Sequence, residues 1–176
     1  MSCLALSPFI ESRRLRLRGP CRSDAARLAQ LANDYDVVKM TGSMPYPYGE
    51  EHAHAYLDRV ESLDPQSHAH YVIDFDGAPI GTLGFDRGPH GRCEIGYWIG
   101  RPYWGQGLAT EAALAALDWA REDWGRRLVV ACHYADNPAS GAVLIKAGFL
   151  YTGDVEPKFS TARGCEAPVR WMVWLA

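Results

Sequence analysis

No cysteine in this sequence stands in a C-x-x-C pair. The five are Cys3, Cys21, Cys93, Cys132 and Cys165, an odd number at wide spacing. That excludes a clustered-thiolate zinc site, argues against a disulfide framework and fits a reducing, cytoplasmic setting. A positive charge excess is also missing. Lys and Arg number 18 against 21 Asp and Glu, for a net charge of −3. With no basic cluster either, no nucleic-acid partner is expected. No apolar run is long enough to cross a bilayer, so no membrane partner is expected. Residues 1–12 lack the basic start and apolar stretch of a signal peptide. Internal repeats and low-complexity tracts are absent.

What remains is the composition of one globular domain over residues 1–176, 48% hydrophobic and 22% charged, with enough apolar residues for a core. "RRLRLRG" (13–19) alternates charge with Leu15 and Leu17, the period of a half-exposed strand. "SDAARLAQLA" (23–32) predicts a helix with Ser23 as its N-cap. "TGSMPYPYGE" (41–50) is irregular by its Pro and Gly content. "EEHAHAYLDRVESL" (50–63) has Ala53, Tyr56, Leu57 and Val60 at helical spacing, with Pro65 to end it. "HYVIDFDG" (70–77), "APIGTLGFDRG" (78–88) and "RCEIGYWIG" (92–100) read as three strands. Their connections are too short for crossover helices, so they form an antiparallel meander.

The second half alternates. Residues 107–123 predict a helix with Glu111, Asp118 and Glu122 on a water-facing stripe. "RLVVACHYAD" (127–136) is the apolar run of a strand buried on both faces. "NPASGAVLIKAGF" (137–149) is a punctuated helix, with Asn137 to cap, Pro138 in the first turn and Gly148 at the end. "FLYTGDVE" (149–156) and "APVRWMVWLA" (167–176) close the chain as β-hairpin arms. The order predicts an α/β fold with a mixed, mostly antiparallel central sheet and flanking helices.

One stretch carries the chemistry. "YWGQGLATEA" (103–112) sets Gly105 and Gly107 just before good helix formers, although glycine inside a helix costs about 1 kcal/mol relative to alanine. Backbone N–H groups at a helix start lack intrahelical partners and sit at the positive end of the dipole. Glycines there let a phosphate or pyrophosphate approach. A P-loop would need Gly-Lys-Ser/Thr where this chain has Gly-Leu-Ala, and a dinucleotide fingerprint would need Gly or Ala where Thr110 stands. The competing reading is a helix start whose glycines only permit tight packing.

"EIGYWIGRPYWGQGLATEA" (94–112) followed by "NPASGAVLIKAGF", with a buried strand between them, resembles the GNAT superfamily of acyl-coenzyme A N-acyltransferases. The likeness is greatest to its ribosomal-protein-alanine N-acetyltransferase (RimJ/RimL-like) branch. The opening "ESRRLRLRG" and the "MPYPYGEEHAHAYL" stretch are also similar to it. The resemblance implies acetyl-CoA as co-substrate and an amine-bearing acceptor, either a protein N-terminus or a small molecule. It implies that Tyr97, Trp98 and Ile99 pair their backbone with the pantetheine arm. Trp104, Gly105, Gln106, Gly107, Leu108, Ala109 and Thr110 would wrap the pyrophosphate, and Asn137 and Ser140 would lie near the thioester. Two positions depart from the pattern. Pro102 stands where Gln or Arg is frequent, and Leu144 where many members carry a tyrosine acting as acid for the leaving thiolate. Ser140 is the nearest hydroxyl in that motif. The branch often pairs, which leaves a homodimer open.

Acetyl transfer to an amine needs the free base, and a lysine-type amine has a pKa of about 10.4. Glu94 is the candidate base, sharing a strand face with Gly96 and Trp98; the alternative is an ion pair with Arg92 or Arg101. Ser140 is the candidate to assist the thiolate; the alternative is a first-turn residue bonded to backbone. His52 and His54 point to different helix faces. His68 and His70 share a strand face with no third ligand evident, so no metal site is expected. Asp34, Asp36, Glu50 and Glu51 either draw a cationic amine or form a solvated face. Tyr46, Tyr48 and Tyr56 either line an acceptor groove or pack under the loop, and Trp171 and Trp174 read as core or interface. Three readings follow: an acetyl-CoA-dependent N-acetyltransferase, a non-catalytic acyl-CoA or nucleotide-binding module, and a dehydrogenase-type nucleotide binder. Thr110 and the meander disfavour the last.

Overall fold

The alternation in "LRLR" sets Leu15 and Leu17 inward, at 3% and 0% exposure, in a strand that joins the first half to the sheet. The computed structural model describes residues 9–176. Cys3 and most of the stretch read for a signal peptide lie outside the described residues. In chain order the elements are β1 (Ile10–Glu11), β2 (Leu15–Arg18), α1 (Ala25–Ala32), α2 (Tyr35–Val38), α3 (Glu50–Glu61), β3 (Ala69–Phe75), β4 (Ala78–Arg87) and β5 (Cys93–Ile99). They continue with α4 (Leu108–Glu122), β6 (Leu128–Tyr134), α5 (Pro138–Lys146), β7 (Leu150–Ser160) and β8 (Cys165–Leu175). The expected meander and final hairpin are both present, the hairpin longer than predicted.

The strands form one eight-stranded sheet in the order β1-β2-β3-β4-β5-β6-β8-β7. The pairs are antiparallel except β5 with β6, which run parallel because α4 returns the chain between them. That pair meets only at Cys93↔Val129 and Glu94↔Val130. On one face, α4 buries Leu108, Ala112, Ala113, Ala116, Leu117 and Ala120 against Tyr71, Leu83, Phe85, Ile95 and Phe149. The small residues let the helix lie close to the strands. The other face is covered by α1 and α3, whose Ala25, Ala29, Ala32, Ala53 and Leu57 pack with Val38 and Tyr48. Among the described residues no helix is long and apolar enough to cross a membrane.

Three local expectations are corrected. Ser23 is exposed within a 3-10 turn, Arg22–Asp24, and α1 starts after it. The organising residue is Asp24, 5% exposed, which accepts from the Cys21 N–H at 2.8 Å and from both terminal nitrogens of Arg18 at 2.9 Å. Glu111 does not simply face water. It accepts from Ser12 Oγ at 2.8 Å and from Arg14 N and Nε at 2.7 Å, tying the chain before β2 to α4. Cys93, Cys132 and Cys165 are free thiols, whereas Cys21 is disulfide-bonded, which the cysteine spacing did not predict.

The Arg18 pair makes a stability prediction. Asp24→Ala leaves the Arg18 guanidinium with only one carboxylate, Asp74 at 3.2 Å, beside the Gly19 carbonyl at 3.3 Å, and an unsatisfied Cys21 N–H. The variant is expected to unfold about 3 kcal/mol more easily, read as a lower urea midpoint at unchanged slope.

Candidate active site

Because β5 and β6 pair at only two positions, they part towards their C-terminal ends. A cleft of about 1040 Å³ opens there. Gly105, Gly107 and Thr110 line one end, Glu94, Gly96, Tyr97 and Ser140 its middle, and Tyr48, Tyr56 and His70 the other. Gly105 and Gly107 have φ of +74° and +76°, the left-handed region that other residues resist. A Cβ on Gly105 would meet nothing within 4 Å, and one on Gly107 only Arg14 Nη2 at 3.7 Å. Tight packing therefore does not explain these glycines. Their conformation does: it turns the loop so that α4 begins with free N–H donors at the cleft mouth. Trp104 and Gln106 support the loop through side-chain bonds, Nε1 to Ile99 O at 2.6 Å and Nε2 to Pro102 O at 3.3 Å. The first of these occupies the Ile99 carbonyl and Trp98 turns its main chain to β4, so the main-chain edge left for a bound arm is at Tyr97.

At the parting point Asn137 caps α5, its Oδ1 accepting from Ser140 N at 3.2 Å. The Ser140 hydroxyl is not spent on the backbone. It lies 3.0 Å from the Tyr97 hydroxyl, which also donates to Ser140 O at 3.3 Å. Burial pushes the Tyr97 phenol up to about 12, with the Ser140 bond opposing. Leu144, by contrast, is 1% exposed and belongs to the core. A phenol is absent from α5 at Leu144 but present beside Ser140 on β5, a contact that sequence reading did not give Tyr97. Ser140→Ala and Tyr97→Phe are each expected to lower turnover about tenfold, roughly one hydrogen bond's worth, with acetyl-CoA affinity unchanged in calorimetry.

Glu94 sits on the opposite face of β5 with Gly96 and Trp98. Its carboxylate accepts from Lys158 Nζ at 3.0 Å, and the Cys132 thiol lies 3.6 Å away. The ion-pair partner is therefore Lys158 of β7, not Arg92 or Arg101. Burial works against the Lys158 charge, but Cys132 and Glu94 outweigh it and raise its pKa. Burial pushes the Cys132 thiol up to about 11, so it is neutral near pH 7.

A family profile described as an acetyltransferase (GNAT) domain matches residues 14–150. The chain belongs to the GNAT family. An uncharacterized N-acetyltransferase, p20, of Bacillus licheniformis is 32% identical over 111 residues, covering 60% of this chain and 62% of p20. The chain thus spans less than two thirds of that relative's length. A ribosomal protein uS5-alanine N-acetyltransferase of Escherichia coli is 29% identical over 143 residues, 74% of this chain and 72% of the relative. A RimL ribosomal alpha-N-protein acetyltransferase, solved in complex with coenzyme A, superposes with a TM-score of 0.81 at 23% identity. That match covers 96% of this chain and 98% of the other, and supports the fold.

The other end of the cleft in this GNAT domain, and the segments around it, sort the remaining expectations. Arg101 binds Asp34 at 2.6 Å and also Asp36, which Lys39 reaches at 2.6 Å. Those bonds hold both carboxyls below their usual range, so these acids stay ionised with their charge already paired. Glu50 and Glu51 lie exposed in the first turn of α3, outside the cleft. Tyr48 and Tyr56 line the cleft, whereas Tyr46 is 52% exposed and packs edge-on against Tyr35. Trp174 is core, and Trp171 donates to Glu156 at 2.9 Å. His52 accepts from the Gly49 N–H at 3.0 Å, at the start of α3. The expectation for His68 and His70 is corrected: Asp86 is the third group. Its Oδ1 lies 3.1 Å from His68 Nδ1 and 3.0 Å from His70 Nε2. Nothing in the sequence spacing announced it, because register alone brings β4 beside β3.

Proposed function

We propose that the chain is an acetyl-CoA-dependent N-acetyltransferase, moving the acetyl group directly to a primary amine of a protein N-terminus or a small molecule. The observation that carries this is the left-handed Gly105–Gly107 turn, open to the mouth of a cleft between two parting strands. The names of the relatives support it. The turn and the first N–H groups of α4 suit a pyrophosphate. The freed edge of β5 at Tyr97 suits an amide-bearing arm, and the Tyr97–Ser140 pair would lie near its thioester end.

In the reaction, the amine nitrogen attacks the thioester carbonyl, the C–N bond forms, and the C–S bond breaks. Glu94 accepts a proton from the nitrogen as the amide forms. The leaving thiolate takes a proton from the Ser140–Tyr97 hydroxyl pair or from water. The proposed reaction uses no metal, and neither nucleic acid nor a membrane is a partner. A homodimer and a cytoplasmic setting are compatible with it. The paired hydroxyls near the proposed thioester end tell against the non-catalytic module, which the loss of a tyrosine at Leu144 would otherwise favour.

The test is calorimetric titration with acetyl-CoA, with ADP and NAD as controls, followed by thiol release across a panel of amines. Saturable acetyl-CoA binding, weaker ADP binding, no NAD response and amine-dependent thiol release are expected. A well-folded sample that does not bind acetyl-CoA would overturn the reading.

A further inference from the structure

Opposite Glu94, on the same face of the sheet, the acceptor end of the cleft holds a second polar group. His70, Gly84 and Gly96 lie side by side across β3, β4 and β5. A Cβ on Gly96 would meet nothing within 4 Å, while one on Gly84 would come within 2.5 Å of His70 Nδ1. The two glycines leave a bare floor, and the buried imidazole lies over half of it. His70 is 6% exposed, yet both ring nitrogens are engaged. Nε2 lies 3.0 Å from Asp86 Oδ1, and Nδ1 lies 3.4 Å from the Tyr56 hydroxyl.

The charge state of the two ends fixes the protons between them. Burial works to raise the Asp86 carboxyl, but His70, His68 and Arg59 outweigh it and hold it well below the usual carboxylate range. Asp86 is therefore an acceptor, and in the neutral imidazole His70 Nε2 carries the hydrogen. Nδ1 of that tautomer is the lone pair, and the Tyr56 hydroxyl donates to it. Burial raises the Tyr56 phenol far above neutral, with Thr82 opposing, so the oxygen keeps a proton and presents its own lone pairs to the cleft. The groups facing this chain are Tyr56 and Arg59 from α3, His68 beside β3, Asp86 from β4, and Glu94, which stands directly across from Asp86.

Resting on the acetyltransferase reading, we propose that Tyr56, His70 and Asp86 form a proton relay that turns the incoming ammonium into the attacking amine. Two protons must leave the acceptor nitrogen, one before attack and one as the amide forms. Glu94 takes the second. For the first, the ammonium gives its proton to the Tyr56 oxygen while the Tyr56 proton passes to His70 Nδ1. The products are a neutral amine, a neutral tyrosine and an imidazolium held against the Asp86 carboxylate. The imidazolium returns its proton to water after transfer. Tyr56 touches the substrate, whereas Asp86, His68 and Arg59 are positioning residues.

The test is the pH dependence of kcat/KM for two acceptors, a peptide with a free α-amino group and a lysine-type alkylamine. Their own pKa values differ by about 2.5, so an acidic limb common to both belongs to the protein. Wild-type protein should show such a limb. Tyr56→Phe and His70→Asn should each lose it and lower kcat/KM about tenfold to a hundredfold, with acetyl-CoA affinity unchanged as the control for folding. Gly84→Ala, which pushes the ring from its place, should act in the same direction. Imidazole nitrogen NMR should show His70 with hydrogen on Nε2 alone. Transfer with the common limb intact in Tyr56→Phe, or hydrogen on Nδ1, would overturn the relay and leave the acetyltransferase reading standing. No transfer to either acceptor by the wild type would overturn both. One nitrogen or oxygen atom each of His68, His70 and Asp86 lies within 4.8 Å of the others. Micromolar zinc binding that is lost in His68→Ala would make this a metal site and overturn the relay.

Discussion

Alanine at both Gly105 and Gly107 is expected to weaken acetyl-CoA binding between about thirtyfold and a thousandfold. The magnitude follows from the backbone. A left-handed conformation costs a non-glycine residue about 1–2 kcal/mol, so two positions cost about 2–4 kcal/mol, at 1.4 kcal/mol per factor of ten. Neither methyl meets a close neighbour, so the effect is conformational and not steric. Where the cost appears depends on how firmly the loop is held. Arg14 Nη1 donates to Gln106 O at 3.1 Å, and Trp104 Nε1 to Ile99 O at 2.6 Å. A loop that relaxes when free must return to the left-handed shape on binding, and the whole cost is read in affinity. A loop that these bonds hold in place carries the strain permanently, and the cost moves into a lower melting temperature. Calorimetry and thermal unfolding of the same double variant measure both parts. Unchanged affinity together with an unchanged midpoint would show that the glycine conformation serves no purpose in this cleft.

The same comparison shows what kind of information the chain displays locally. Period and punctuation were readable: Leu15 and Leu17 alternate, Asn137, Pro138 and Gly148 bracket α5, and Gly105 and Gly107 mark a turn. Each depends on residues a few positions apart. The errors involve partners chosen at long range. Lys158 reaches Glu94 because β8 inserts between β6 and β7 and the long β7 arm bends back towards β5. Tyr97 reaches Ser140 across 43 positions, and Glu111 reaches Arg14 across 97. Asp86 joins His68 and His70 only through the β3–β4 register. No hydrophobic period specifies such pairs, because they depend on sheet order and on which polar group is left facing which. The glycine turn at one end of the cleft was legible, since it is built from contiguous backbone. The other end was not, since it is assembled from side chains of α3, β3, β4, β5 and β7.

Glu94 and Lys158 allow a sharp separation between chemistry and structure. Glu94→Gln keeps the shape and removes the base, and turnover near neutral pH should fall about a hundredfold to a thousandfold. Lys158→Met keeps the carboxylate but removes its cation at 3.0 Å. The chemistry needs the carboxylate and not its cation, so turnover in that variant should stay within about tenfold of wild type. Stability should respond little to either change. Lys158 is 38% and Glu94 21% exposed, so solvent screening discounts the pair to about 1 kcal/mol or less in a double-mutant cycle. A purely structural ion pair predicts a different ordering. Either substitution would then cost similar, small amounts of stability, and turnover would respond equally to both. Measuring turnover and the urea midpoints of both variants decides the matter. Turnover lost in Glu94→Gln and kept in Lys158→Met assigns Glu94 the second proton of the reaction. Turnover kept in both would remove Glu94 from the chemistry and leave Tyr56–His70–Asp86 as the proton-accepting group of the cleft.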